Sequence, residues 1–171
     1  VDHVITNSNA ARAGDTARRY PRRKTVTIPN GIDADHFRAD PLAAGAARAA
    51  LGVPAGVPLI LVVGQLDPVK GHDVLLDAIG LLRPHHPEWR YLVVGRGPED
   101  HSRRLLQQAL ALGVADQIVW RPHEPDLRPL YAAADVLCLP SRAEGFPNVV
   151  GEAMATGTPV VATAVGDVRE I

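Results

Sequence analysis

Leu59-Ile60-Leu61-Val62-Val63-Gly64-Gln65-Leu66-Asp67-Pro68-Val69-Lys70-Gly71 reads as a strand that ends in a glycine-bearing loop and runs into a helix. An unbroken apolar run of this length suits a strand covered on both faces. The segment behind it, Asp73 to Leu82, repeats apolar residues three and four apart, and Pro84 stops it. The alternation then recurs. Strands are expected at Tyr91 to Val94, Ile118 to Trp120, Val136 to Leu139 and Val160 to Ala162. Helices are expected at Glu99 to Leu112, Leu127 to Ala134 and Asn148 to Thr156. Strand followed by helix, repeated, predicts an α/β fold with a doubly wound parallel sheet.

Working outward from residue 59, the pattern changes. Residues 40–58 are rich in Ala, Gly and Pro and predict a connection with one short helix, Ala43 to Leu51. Before it, two short strands, Val4-Ile5 and Val26-Thr27-Ile28, flank a small helix with an arginine-rich end. The expected division is therefore 1–32 as the tail of a preceding domain, 33–55 as linker and short helix, and 56–171 as a second domain cut short at its end.

With 171 residues and a net charge of −1, the chain has no composition that calls for nucleic acid as a partner. It has one cysteine, Cys138, expected inside a strand. A chain with no possible internal disulfide fits a reducing compartment, the cytoplasm.

In such a sheet, ligands bind beyond the carboxyl ends of the strands. The loop after Val63 offers Gly64, Gln65 and Lys70, with Lys70 beside a helix start where an anion would sit well. The loop after Val94, Gly95-Arg96-Gly97-Pro98, begins like a dinucleotide fingerprint but lacks its third glycine. The loop after Trp120, Arg121-Pro122-His123-Glu124-Pro125-Asp126, is stiffened by prolines. It carries His123, read as an exposed loop histidine, and ends on Asp126 as a candidate N-cap. The richest loop follows Leu139. It runs through Ser141, Glu144, Gly145, Phe146 and Pro147 into a helix whose first N–H groups, on Asn148 and Val149, suit a phosphate. Glu144 and Glu152 are able to border one pocket, and the apolar flanks of Glu152 predict that its carboxylate has a partner. Asp33-Ala34-Asp35 has no further ligand nearby and is not read as a metal site.

These stretches, in their order, resemble the retaining glycosyltransferases of family 4 type, with the GT-B fold of two facing Rossmann-like domains. The matching residues are Val26 to Asp33 with Phe37, Val63 to Leu66 with Lys70-Gly71, Val94 to Pro98, Leu130 to Val136, Pro140-Ser141, the E-x7-E block Glu144 to Ala155, and Gly157 to Thr163. The resemblance implies the C-terminal, nucleotide-sugar-binding half of such an enzyme, with residues 1–32 left from the acceptor domain.

It further implies a catalytic pair, Lys70 at the donor phosphates and Glu144 at the donor sugar. Gly145 and Phe146 would border the substrate. Glu152 would hold the ribose, the backbone of Asn148 and Val149 the diphosphate, and the backbone near Arg121 and Pro122 the base. Gly64 and Gln65 would line the donor site, and Gly95 and Gly97 would leave room for the donor. No metal and no cofactor is implied. The partners are a nucleoside-diphosphate sugar and an acceptor that is a glycan, a lipid carrier or a small metabolite, as in polysaccharide or glycolipid synthesis. Any membrane contact, peripheral and on the inner face, would come through the absent half. The isolated chain is expected not to transfer sugar.

Two departures stand out. Gln65 replaces a frequent arginine, so either another cation, Arg142 or Arg96, compensates or donor diphosphate binding is weaker. Asp167 replaces a common second glycine and reads as a minor change. A GT-B nucleotide-sugar epimerase and a non-catalytic nucleotide-sugar-binding module are the alternatives. A Rossmann dehydrogenase is disfavoured by the missing glycine fingerprint.

Overall fold

A computed structural model describes residues 2–14 and 19–171. Part of the arginine-rich end expected on the first helix lies outside the described residues. In chain order the strands and helices are β1 (Val4–Thr6), α1 (Asn9–Ala13), β2 (Thr25–Thr27), α2 (Pro41–Ala50), β3 (Leu59–Val63), α3 (His72–Leu82), β4 (Arg90–Val94), α4 (Glu99–Ala111), β5 (Ile118–Arg121), α5 (Arg128–Ala133), β6 (Val136–Leu139), α6 (Asn148–Thr156) and β7 (Val160–Ala162).

Strands β3 to β7 form one parallel sheet in the order β5-β4-β3-β6-β7. The chain builds outward from β3 through β4 to β5. It then returns to lay β6 on the other side of β3. The order therefore reverses between β3 and β6, the position where a crevice opens at the carboxyl edge of such a sheet. β1 and β2 form a separate parallel pair, with α1 in the connection between them.

Each face of the five-stranded sheet has its own core, because alternate residues of a strand point opposite ways. Ile60, Val62, Tyr91 and Val93 pack with Leu75, Leu76 and Ile79 of α3 and Leu105 and Ala109 of α4. Leu59, Leu61, Leu92, Val94 and Leu137 pack with Leu130, Tyr131 and Ala133 of α5 and Ala153 of α6. Leu59, Leu61, Leu92 and Leu137 are at most 1% exposed. Each such side chain contributes about 1.5–3 kcal/mol by leaving water. That is why these strands carry almost no polar residue.

The linker helix α2 is anchored rather than loose. Asp40 caps it, accepting from Ala43 N at 2.9 Å. Arg48 donates to the Ala133 carbonyl at 2.9 Å and pairs with Asp135 at 3.1 Å. Asp135 in turn accepts from Leu59 N at 2.7 Å, tying α2, β3 and the start of β6 together. One expectation fails locally. Asp126 is not the cap of α5, which begins at Arg128 after Leu127. From one position before the cap, its carboxylate accepts from the backbone N–H of Arg128, the first helical residue, and from that arginine's guanidinium. Among the described residues no helix is long and apolar enough to cross a membrane.

Candidate functional site

The loops after β3 and β6 meet where the strand order reverses. Between β3 and α3 the chain makes a short turn, Pro68–Lys70, capped by Asp67, and then Gly71 at φ 69°. A Cβ on Gly71 would lie 2.1 Å from the Pro140 carbonyl oxygen, so only glycine lets the β3 loop cross the β6 loop here.

That crossing brings Lys70 to Glu144. Lys70 Nζ donates to both carboxylate oxygens, at 2.7 and 2.8 Å. Ser141 Oγ donates to Glu144 Oε1 at 2.6 Å. The Glu144 side chain is 8% exposed and that of Lys70 26%, so the pair sits at the rim of the crevice with its charges turned on each other. The Lys70 stem runs along Gly64, whose Cβ position lies 3.9 Å from it.

Glu144 leads through Gly145, Phe146 and buried Pro147 to α6. No side chain caps this helix, and among the described residues no acceptor meets the N–H of Asn148 or Val149. The positive end of α6, reached just after Glu144 in the chain, is therefore left for an anion. Glu152, one turn further, is half-buried. Its expected partner is Tyr131 of α5, whose hydroxyl donates to it at 2.7 Å. Burial first, then the Glu152 carboxylate, pushes the Tyr131 pKa above the ordinary phenol range. Phe37 packs edge-on to Tyr131, which explains the aromatic residue in the linker.

The remaining expected residues line a neighbouring hollow of about 300 Å³, bounded by Gly64, Gln65, Gly95, Arg96, Pro122 and His123. A second hollow, of about 420 Å³, takes in Gly97, Trp120 and Arg121. His123 is exposed and Arg121 is paired with Glu124 at 2.7 Å. Gly95 and Gly97 lie close against the β3 loop. Their Cβ positions would lie 1.8 Å from the Gly64 oxygen and 2.0 Å from the Leu66 oxygen, so the β3 loop itself demands glycine there.

Arg142, one of the two candidates for compensation, is already engaged. Its guanidinium is locked on Asp73 at 2.7 Å and on the Pro68 carbonyl at 2.8 Å. Its hydrogen bond holds the Asp73 carboxyl below the usual carboxylate range. Arg96 is exposed and borders both hollows beside Gly95, so it is placed to assist where Gln65 carries no charge.

Several residues near the site escaped sequence reasoning. Ser141 and Tyr131 hold the two glutamates, and Asn30 Nδ2 donates to Asn148 Oδ1 at 2.8 Å. His72, just past Gly71, is 1% exposed with neither ring nitrogen partnered among the described residues. Burial first, and then His101, lower its pKa to about 4; Lys70 adds to this and Asp73 opposes it. Cys138 is half-buried and burial raises its thiol pKa, as for an inert strand cysteine.

Comparison with known proteins bears on the family and the fold. The model of the family described as Glycosyl transferases group 1 matches residues 57–171. A D-inositol 3-phosphate glycosyltransferase of Segniliparus rotundus is 37% identical over 171 residues, spanning 96% of this chain and 37% of that protein. The chain thus spans about two-fifths of the length of the curated relatives it matches. Anabaena HepE in complex with UDP-glucose superposes with a TM-score of 0.91 at 30% identity, over 99% of this chain and 47% of HepE. The C-terminal domain of the glycosyl transferase group 1 protein LpcC of Francisella tularensis shares the fold, with a TM-score of 0.68 at 24% identity, over 82% of this chain and 74% of that domain.

Proposed function

This chain belongs to the glycosyl transferases group 1 family, and we propose that it is the donor-binding part of an enzyme that moves a hexosyl group from a UDP-hexose to an acceptor hydroxyl with retention of configuration. The observation that carries the reading is the meeting of Lys70, Glu144 and the uncapped start of α6 at the strand-order reversal. A cation and a helix N-terminus are what a departing diphosphate needs. The choice of uridine rests on the likeness to HepE, which binds UDP-glucose.

In this reading Lys70 exchanges part of its contact with Glu144 for the diphosphate oxygens. The N–H groups of Asn148 and Val149 take the remaining phosphate charge. Glu152, held by Tyr131, accepts from the ribose hydroxyls, and the hollow by Pro122 and Gly95 takes the base. Glu144 and Gly145 face the sugar. As the bond from C1 to the phosphate oxygen breaks, the acceptor oxygen bonds to C1 on the same face. The acceptor proton passes to the departing phosphate, so no enzymic nucleophile is required.

Residues 1–32 then belong to the acceptor side and 56–171 to the donor side, and the 171 residues alone do not turn over. The test uses the full-length enzyme with UDP-glucose and acceptor, with the product linkage read by NMR. Retention predicts an α-glucoside from the α-linked donor. A β-linked product contradicts the proposal, and so does full turnover by the isolated chain.

A further inference from the structure

The β1-α1-β2 unit touches the donor face at points that the reaction above does not use. Asp167 follows β7 and is 2% exposed. Its carboxylate accepts from the N–H of Asn9 at 2.6 Å and of Ala10 at 2.7 Å, the first two residues of α1. Its own N–H donates to the Gly145 carbonyl at 3.0 Å. Gly166, just before it, has a φ of 57°, and a Cβ there would stand 2.2 Å from the Glu144 oxygen. Ser8, wholly buried, caps α1 through Ala11 N at 3.0 Å and lies against Gly145, whose Cβ position is 3.6 Å from the Ser8 Cβ.

A buried carboxylate is costly unless it is matched, and two amide N–H groups at a helix start match it. Here the matched charge does more than settle itself. It joins a helix near the beginning of the chain to the two residues that lead into α6. Glu144 is held at its side chain by Lys70 and Ser141, while its backbone and that of Gly145 are held from behind by Gly166, Asp167 and Ser8.

We propose that Asp167 is a positioning residue: by clasping the start of α1 it fixes the Glu144–Gly145 backbone, and with it the sugar-facing end of the donor site. The inference rests on the donor-site reading above. It assigns Asp167 to the sugar end of the ligand and not to the base or ribose, which are held on β4, β5 and α6.

The test titrates the chain with UMP and with UDP-glucose in the wild type and two variants. Asp167→Asn keeps the shape but leaves one oxygen for two donors. Asn9→Pro removes one of the two backbone donors to Asp167, together with the Asn9 amide that donates to Glu170, and leaves Asp167 intact. It suits the backbone, because Asn9 opens α1 and Ser8 before it is extended, at φ −145° and ψ 134°. Both variants are expected to bind UDP-glucose about tenfold more weakly, the scale of one charge-assisted hydrogen bond, with UMP affinity unchanged. If Asp167→Asn does not fold, Asn9→Pro carries the test. Unchanged UDP-glucose affinity, or an equal loss for UMP, overturns the clasp. A folded wild type that binds neither ligand overturns the donor-site reading itself.

Discussion

Contacts at the carboxyl edge of the sheet are of two kinds. Between the β3 and β6 loops, charged and polar side chains meet: Lys70 on Glu144, Ser141 on Glu144, Arg142 on Asp73. Between the β4 and β3 loops, backbone lies on backbone, with Gly95 and Gly97 pressed against Gly64 and Leu66. Charged contacts at a rim can be exchanged for a ligand's charges, whereas a close-packed backbone cannot be exchanged for anything. The first kind of contact is therefore suited to chemistry and the second to a rigid wall.

The sharpest break of this contrast is Gly95→Ala. Its new methyl would stand 1.8 Å from the Gly64 oxygen, and that backbone has no easy retreat. The expected cost exceeds about 3 kcal/mol, read as a lowered urea midpoint. A loss under about 1 kcal/mol would show the wall to be yielding.

A comparable effect is expected behind Lys70. His72 has a folded pKa of about 4, against 6.5 for the free side chain. Between those values the unfolded chain binds a proton that the folded chain refuses, so stability is lost as pH falls from 6.5 to 4 and levels off below. The loss amounts to about 3 kcal/mol. Urea unfolding at pH 7 and pH 4.5 reads about 2 kcal/mol of it, and His72→Leu should remove this component.

On the exchangeable side, Lys70→Ala should weaken UDP binding about thirtyfold, since it removes a cation and leaves Glu144 unpaired near the diphosphate. Glu144→Gln should act in the opposite direction and tighten UDP about threefold, because Lys70 no longer has a competing carboxylate. Equal losses in both variants would mean that the pair acts as a structural bridge.

The smallest effect is a control away from both kinds of contact. Gly45 lies inside α2 with open space around its Cβ position, so Gly45→Ala should stabilise the chain by about 0.5–1 kcal/mol. No gain in the urea midpoint would show that α2 tolerates no added side chain there.

The same contrast explains what the sequence discloses. Strands β3, β6 and β7 and helix α6 lie where apolar runs and punctuating Pro and Gly put them, because those signals are local. Glu152 has the partner that its apolar flanks demand, although nothing nearby in sequence points to Tyr131, 21 residues before it. Arg142 is the counterexample: it stands beside the site in sequence, but a long-range pair with Asp73 claims it. Gly95 and Gly97 announce a close approach without saying that the neighbour is the β3 loop. Asp167 reads as a small departure from glycine, yet it is a buried charge bonded to residues 158 and 157 positions earlier. Pairings of that range leave no periodic trace.

The most direct test of the donor site is calorimetric titration of the folded chain with UDP, beside Glu152→Ala. The account predicts that UDP binds and that the variant, without its ribose acceptor, binds about tenfold more weakly. A folded chain that ignores UDP, or a variant that binds it as well as the wild type, would contradict it.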